Sequence, residues 1–298
     1  MRNAARRIAL LVVAALLPSS ASAWGFAGHR FIMGRAIDLL PPELKGFYEK
    51  NRDEIVMRAV DPDLWRNAGW EDDPNHFVNF GAREYGQFPF VALPHDLESA
   101  IDKFGMATVK RNGMLPWRAG ELFGNLRRTF EGFKRGTLYG PSDVILFSGA
   151  LGHYIQDAHQ PLHATNNYDG QLTGNSGVHA RFERDLIEKF APQLRIAPQP
   201  AAPMLGARDA AFEALLASHQ KVDAILKADT EAVAGKDVYD AGYFEKFFAK
   251  TRPILEERLS AAITATAAAF IGAWQQAGRP AVTLEGARPV EKVKRPQP

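Results

Sequence analysis

The chain has 298 residues, of which 46% are hydrophobic and 23% are charged, which is the balance of an ordinary globular protein. Its formal net charge of +2 is too small to indicate a general attraction to nucleic acid or to an anionic membrane. The sequence contains no cysteine, which excludes disulfide bonds and thiolate metal sites.

The first 23 residues have the pattern of a secretory signal peptide. Three arginines (Arg2, Arg6 and Arg7) precede an apolar run, and small residues end it at Ala23. Cleavage there makes Trp24 the first residue of the mature protein and leaves 33 basic residues (36 less these three arginines) against 34 acidic ones. An export signal without cysteine predicts a periplasmic or secreted bacterial protein. No later apolar run approaches the roughly 20 residues of a membrane span, so no transmembrane anchor is expected.

The rest of the chain predicts helix after helix, without an alternating strand and helix pattern or an internal repeat. We therefore expect one all-α domain over residues 24–283 and, from its charges and three prolines, a disordered tail over 284–298. Long loops are predicted over 61–95, 166–177 and 192–203. The predicted helices run from near Arg30 to the Pro41-Pro42 pair and over Glu43 to Val60, Pro116 to Arg135, Ser142 to Ala158, Val178 to Phe190, Ala207 to Leu226 and Tyr243 to Gln276.

Two pairs of histidine and acid stand four residues apart, which places each pair on one face of a helix. They are His153 with Asp157 and His179 with Glu183, and His163 follows the first pair after a proline that ends the helix. A lone helical histidine is more often structural than a ligand. Two such pairs together, with nitrogen and oxygen donors but no sulfur, favour an open zinc site.

Further candidate ligands lie upstream: Trp24 with its new amine, His29 five residues on, Asp61 and His76. With these pieces the chain resembles the superfamily that joins zinc-dependent phospholipases C with single-strand-specific zinc nucleases. The pieces run in the family's order as far as residue 183, and the last hundred residues match only in helical character.

The resemblance implies three zinc ions in one buried cluster. It assigns one ion to Asp61, His76, His153 and Asp157, a second to His163, His179 and Glu183, and a third to Trp24, His29 and a bridging Asp157. It also assigns catalytic roles to Asp61 and Asp157. Zinc ions that share a water would generate the attacking hydroxide without a protein nucleophile.

Four neighbouring residues are expected to lie outside the set of metal ligands. Asp63 is expected to cap a helix or to lie outside the ligand shell, and His159 is expected either to have an outer-sphere role or to be exposed. His95 and His219 lack ligand partners and are expected to be structural or solvated.

The branch of the superfamily is read from a few positions. Ala27 and Pro62 stand where the choline-specific phospholipases carry a glutamate and an aromatic residue, which removes the usual means of binding choline. Phe77 matches the nuclease residue that stacks on a base, but the phospholipases carry Phe there as well, and the alternative is that this ring packs the site. Asn79 stands where the nucleases carry an aspartate that reads the base edge, which leaves the base preference open. Against this, Glu183 is closer to the phospholipase pattern.

The sequence thus predicts a monomeric zinc phosphodiesterase acting on single-stranded DNA or RNA, with 3′-nucleotidase activity as an option. Phospholipase C activity on phospholipid is the alternative, and a zinc-binding protein without catalysis is the alternative of another class.

Overall fold

The computed structural model describes residues 24–135, 140–235 and 237–282. Within these ranges all regular structure is helical, and the prediction of an all-α fold is confirmed. The predicted signal peptide (1–23) and the predicted tail (284–298) lie outside the described residues. The helices are α1 (Gly25–Asp38), α2 (Pro42–Lys50), α3 (Arg52–Arg58), α4 (Asp61–Asn67), α5 (Leu97–Phe104), α6 (Met106–Asn112), α7 (Leu115–Arg135), α8 (Pro141–Asp157), α9 (Val178–Ala180), α10 (Leu186–Phe190), α11 (Ala207–His219), α12 (Val222–Val233) and α13 (Ala241–Gln276).

The predicted helix from Glu43 to Val60 is divided into α2 and α3. The break is at Asn51, whose backbone leaves the helical region (φ −109°, ψ 18°). Its side-chain amide donates to the carbonyl of Phe47 at 2.8 Å, a local bond with which asparagine competes with the helix. The break turns α3 onto α8, against which it packs.

The long loop predicted over 61–95 is more ordered than its composition indicates. It contains α4 and two 3₁₀ turns, Asp73–His76 and Arg83–Tyr85. The sequence also failed to predict α5 and α6, which follow it. Asp96 begins α5 by accepting a hydrogen bond from the Ser99 backbone N–H at 2.9 Å, an ordinary helix cap.

Helices α7 and α8 pack against each other at the centre of the fold. Their predicted bounds are confirmed to within one residue, because a proline at the first or second position starts each helix. Nearly the whole of α8 from Ser148 onward is buried. It therefore presents His153 and Asp157 to the interior rather than to solvent.

The predicted helix from Val178 to Phe190 is present but is interrupted. Residues Arg181–Asp185 form a π-helical segment between α9 and α10, and such segments are rare and frequently lie at functional sites. The predicted helix from Ala207 to Leu226 is likewise divided, since α11 ends at His219 and α12 begins at Val222. The last predicted helix is confirmed as α13, which contains Pro253.

The predicted loop over 192–203 lies along α13. Backbone N–H groups of alternate residues donate to side chains one helical turn apart: Arg195 to Glu256 Oε1 (2.7 Å), Ala197 to Ser260 Oγ (3.0 Å) and Gln199 to Thr264 Oγ1 (3.0 Å). Pro198 lies between the second and third donors and Pro200 follows the third, at positions where no N–H is required. The segment thereby covers one side of the last helix.

The helices share one hydrophobic core, which extends from Trp24 to Ala277. Among the described residues, no helix combines the length and the apolar character that a membrane span needs.

Candidate metal centre

Buried histidines and carboxylates gather in the core in three sets, each able to hold a metal ion. In every set the candidate ligand atoms lie within 4.8 Å of one another. We call the three sets together the ligand cluster. They are His29 with His153 and Asp157, Asp63 with His76 and His153, and His163 with His179 and Glu183. Nitrogen and carboxylate donors without sulfur are typical of catalytic rather than structural zinc sites.

Asp157 lies between the first two sets. Its Oδ1 is 3.4 Å from Nε2 of His29. Its Oδ2 is 3.0 Å from Nδ1 of His76 and 3.2 Å from Nε2 of His153. Because the two oxygens face different histidines, Asp157 can give one oxygen to each of two ions. Its position on α8, one turn after His153, follows from the four-residue spacing.

The third set is assembled by a turn and a π-helical segment. Pro161 opens the 3₁₀ turn Pro161–Ala164 after α8, which places His163 beside the cluster. Nε2 of His163 is 3.2 Å from Nε2 of His179, and that nitrogen is 3.0 Å from Oε2 of Glu183. The cluster is continuous, since Nδ1 of His163 is 3.9 Å from Oδ2 of Asp157.

One ring nitrogen of each cluster histidine is bound to an oxygen that is not a candidate ligand. These oxygens only accept hydrogen bonds, so a neutral ring that donates to its outer oxygen offers the lone pair of its inner nitrogen to a metal ion. The outer contacts are His29 Nδ1 to Gln156 Oε1 (2.7 Å), His76 Nε2 to Asp72 Oδ2 (3.1 Å), His153 Nδ1 to the Ala59 carbonyl (2.8 Å), His163 Nδ1 to the His76 carbonyl (2.5 Å) and His179 Nδ1 to the Tyr168 carbonyl (2.9 Å).

The inner nitrogens meet in pairs. Nε2 of His153 is 3.0 Å from Nδ1 of His76, and Nε2 of His163 is 3.2 Å from Nε2 of His179. With both protons on the outer nitrogens, each pair consists of two facing lone pairs. That arrangement is repulsive unless a cation lies between them, and metal-bound histidines show the same outer hydrogen bonds. The residues present therefore fit a metal ion.

Two buried polar atoms of the cluster support the same conclusion. Nε2 of His29 and Oδ1 of Asp157 have no hydrogen-bond partner within the described part of the chain. A buried polar atom without a partner is costly, and both atoms belong to one set able to bind a metal. A cation shared by the two atoms would satisfy both.

The electrostatics favour positive charge in this region. Burial opposes the ionisation of Asp157, but the attraction of His153 and His163 outweighs it and holds the pKa of Asp157 well below its usual range. Burial also lowers the pKa of His76, but hydrogen bonds to Asp157 and Asp72 raise that pKa to about 9. The carboxylates thus attract a cation, either a proton or a metal.

The two aspartates of α4 lie in different surroundings. Asp61 is partly exposed, and its Oδ2 accepts a hydrogen bond from Arg58 at 3.1 Å. Asp63, expected to be a cap or an outer residue, is instead fully buried and forms a set with His76 and His153. Arg66 lies 3.4 Å from Asp63. The first turn of α4 points Asp63 inward and Asp61 toward the surface.

Trp24 reaches the cluster through its backbone and its ring. Its backbone nitrogen is 3.0 Å from Oε2 of Glu183, and its left-handed backbone (φ 47°) begins α1 at that point. The indole N–H donates to the Gln156 carbonyl at 2.8 Å. Because the Gln156 side chain also holds His29, one residue fixes both N-terminal candidates.

No protein-family model matches the chain, and no curated protein matches it. The functional interpretation therefore depends on the geometry of the cluster and on the spacing of its residues.

The two residues predicted to bind substrate follow His76 directly. Phe77 and Asn79 are both half-buried. Oδ1 of Asn79 is buried and accepts no hydrogen bond from the described residues, while its Nδ2 is 3.4 Å from the Arg111 carbonyl. The Asn79 amide is thus held by the chain on its Nδ2 side only.

The histidines predicted to be structural lie outside the three sets. His159 is buried and donates to the Ile155 carbonyl at 2.7 Å. His95 pairs with Asp209 at 3.2 Å, and His219 Nδ1 lies 2.7 Å from the Ala164 carbonyl.

Sequence reasoning missed the residues that surround the ligands. Gln156 precedes Asp157 and orients His29, and Gln160 donates to Oε2 of Glu183 at 2.8 Å. Asp72 stands four residues before His76, the same spacing that identified the two helical pairs. That spacing was the available signal for Asp72.

Proposed function

We propose that the protein is a zinc-dependent phosphodiesterase that hydrolyses single-stranded nucleic acid. One observation carries the proposal: five buried histidines and three carboxylates converge with their ligand atoms turned inward and their outer ring nitrogens already hydrogen-bonded. The order of these residues along the chain agrees with the family resemblance described above, with Asp63 in place of Asp61.

In this proposal the ligand cluster, together with the Trp24 amine, would hold three zinc ions. Asp63, His76, His153 and Asp157 would hold one, His163, His179 and Glu183 would hold a second, and the Trp24 amine with His29 and Asp157 would hold a third. Zinc supplies Lewis acidity to the phosphodiester and lowers the pKa of water.

The chain's own residues bind the metal ions and fix the distances between them. The cluster histidines have their protons on outer nitrogens that face protein oxygens, so they are suited to binding metal rather than to exchanging protons with a substrate. Asp157, with an oxygen toward each of two sets, fixes the distance between them. The catalytic role predicted for Asp61 passes to Asp63 in this proposal.

Phe77 and Asn79 support nucleic acid as the substrate. Phe77 is half-buried and adjoins His76 in the chain, which suits stacking on a base, and the half-buried amide of Asn79 is a group that can hydrogen-bond a base edge. Ala27 is exposed and offers neither charge nor ring, and Pro62 is buried. Neither residue supplies the anion or aromatic wall that binds a quaternary ammonium.

The proposal includes export and maturation. Removal of residues 1–23 would convert the Trp24 amide into an amine, which is a far better zinc ligand. The mature protein would be a periplasmic or secreted monomer.

The experiment uses mature protein beginning at Trp24 and loaded with zinc. It is incubated with single-stranded DNA, duplex DNA, a 3′-mononucleotide and phosphatidylcholine vesicles, each with and without EDTA. We expect chelator-sensitive cleavage of single-stranded DNA, lost in an Asp157→Asn variant, with the lipid intact.

Lipid cleavage alone would replace the nuclease proposal with phospholipase C activity. Tight zinc binding with no turnover on any substrate would leave a zinc-binding protein without this catalysis.

A further inference from the structure

His76 is oriented differently from the other histidines of the ligand cluster. Four of them turn Nδ1 outward to a carbonyl or amide oxygen. His76 turns Nε2 outward, to the carboxylate of Asp72, and Nδ1 inward to Asp157 and His153. Its ring is therefore reversed relative to the others.

Asp72 is fixed by three hydrogen bonds. Its Oδ2 accepts from His76 at 3.1 Å and from the Tyr154 hydroxyl at 2.6 Å. Its Oδ1 accepts from the side-chain amide of Asn75 at 2.8 Å. The side chain is only 8% exposed, and Tyr154 follows His153 on α8. The carboxylate is thus held in place relative to the helix that carries the cluster.

The reversed orientation of the His76 ring follows from the closeness of its backbone to the cluster. Its backbone carbonyl accepts the hydrogen bond from Nδ1 of His163, so the 3₁₀ turn Asp73–His76 lies close against the cluster. Nδ1 is the ring nitrogen nearer to the backbone, and it suits a short reach into the cluster. Nε2 then needs an acceptor on the far side, which Asp72 provides.

We propose that Asp72 is a positioning residue, which selects the reversed tautomer of His76 and so delivers Nδ1 to the zinc site formed with Asp63, His153 and Asp157. The inference rests on the proposed zinc-dependent function. Asp72 does not touch substrate. A carboxylate that accepts from the outer N–H of a histidine fixes the ring and strengthens the inner nitrogen as a ligand.

The test compares four variants of zinc-loaded mature protein. Asp72→Ala removes the acceptor, and Asp72→Asn keeps an oxygen that can accept but removes the charge. Tyr154→Phe removes a donor to Asp72 without touching His76. Glu71→Ala is the matched control, since Glu71 is the preceding acidic residue and is 83% exposed. Zinc dissociation constants are measured by chelator competition, and ring tautomers by long-range ¹H–¹⁵N spectra of labelled protein.

In the native protein we expect His76 alone among the cluster histidines to carry its proton on Nε2. Asp72→Ala should weaken one zinc site about 10–100-fold, and His76 should lose that signature as this site loses its zinc. Asp72→Asn should keep the signature with a smaller loss of affinity, and Tyr154→Phe a smaller loss again. Glu71→Ala should match the native protein.

An Nδ1 proton on His76 in the native protein, or unchanged zinc affinity in Asp72→Ala, would overturn the assignment. If Asp72→Ala fails to fold, the Asp72→Asn variant decides, because unchanged affinity there removes the role of the charge. Zinc binding without nucleic-acid cleavage would overturn only the proposed function. Failure of the native protein to bind zinc would overturn both.

Discussion

At the scale of single residues, the two aspartates of α4 give the sharpest test of the cluster. Asp63 is fully buried beside His76 and His153, whereas Asp61 is bound to Arg58 near the surface. We expect Asp63→Asn to lose one zinc ion per chain and to reduce turnover by more than the roughly 10–100-fold that loss of an outer partner costs. Asp61→Asn should retain both. Metal analysis and cleavage of single-stranded DNA measure the difference, and the reverse result would restore Asp61 as the ligand.

Asp157 is expected to matter to two sites at once. Its oxygens face His29 on one side and His76 with His153 on the other. Asp157→Asn should therefore abolish activity and lower the zinc content by more than one ion. Loss of a single ion, or full activity at full zinc content, would contradict the bridging role.

The sequence identified the histidines and Asp157 of the three sets, but of the two aspartates of α4 it favoured Asp61 over the buried Asp63. Each of the two aspartates has an arginine three residues away, Arg58 before Asp61 and Arg66 after Asp63, so charge and spacing do not separate them. The ring orientations were also beyond sequence reasoning. They depend on carbonyl groups such as those of Ala59 and Tyr168, which any residue at those positions supplies.

At the scale of elements, a buried network fixes the π-helical segment that carries Glu183. Arg181 in that segment donates to Asp229 of α12, to the Tyr243 hydroxyl of α13 and to the backbone carbonyls of Asn175 and Ser176. Tyr243 also donates to Asp229. The network joins the loop before α9 to two later helices.

Removing Asp229 leaves the buried guanidinium of Arg181 without its charge partner. We expect Asp229→Ala to lower the free energy of unfolding by about 3–5 kcal/mol, and Tyr243→Phe by about 1–2 kcal/mol. Urea unfolding measures both. Equal losses in the two variants would show that the charge of Asp229 contributes nothing beyond a hydrogen bond.

Substitution of the two glycines that flank α6 distinguishes the cost of backbone strain from the cost of a steric clash. Gly105 and Gly113 have similar left-handed backbones (φ 79° and 99°). A Cβ at Gly113 would lie 2.0 Å from the Phe77 carbonyl oxygen, whereas a Cβ at Gly105 would meet nothing within 4 Å. Gly105→Ala should cost about 1–3 kcal/mol of unfolding free energy from strain alone.

Gly113→Ala should cost clearly more than Gly105→Ala, and it should also displace Phe77. Denaturant unfolding gives the first quantity, and the KM for single-stranded DNA reports the second. Equal destabilisation in the two variants would mean that the backbone at Phe77 yields freely.

At the scale of elements, proline and helical periodicity predicted α7, α8 and α13 well. The breaks at Asn51 and between α11 and α12 were missed because helix-forming residues surround them and a local turn ends each helix. Helices α5 and α6 were missed because they are short and follow a loop rich in turn residues.

At the scale of the whole molecule, the cluster joins elements that are distant in sequence. Its residues come from α1, α4, α8 and the segments that contain His76, His163, His179 and Glu183. An ion bound only by the folded state at a thousandfold excess over its Kd adds about 4 kcal/mol. We expect EDTA to lower the melting temperature by about 10 °C, as calorimetry can measure. An unchanged melting temperature would mean that the cluster folds without metal.

The N-terminus provides a second test at this scale. Mature protein that begins at Trp24 is compared with protein carrying two extra residues before it. The extension turns the amine into an amide, so the third zinc ion should be lost and turnover should fall. Equal zinc content and activity would remove Trp24 from the ligands.

The overall all-α architecture followed from composition and periodicity, because helical patterns repeat over residues 24–276 and no strand pattern competes with them. The relative placement of the helices did not follow, because it depends on close contacts such as that between Gly149 of α8 and Arg58.

The contact between residues 192–203 and α13 restricts the length of that segment. Two residues of extended, proline-rich chain advance about 6.2 Å, and one four-residue step of an α-helix advances about 6 Å. The spacing of the N–H donors in the segment therefore matches the spacing of the acceptor side chains on α13 from Arg195 to Gln199. Deletion of one residue would bring Pro198 to a position where a backbone N–H must donate to a side chain of α13. Deletion of two residues would only shift the segment by one hydrogen-bonding position along the helix. The connection can therefore change in length by an even number of residues but not by an odd number.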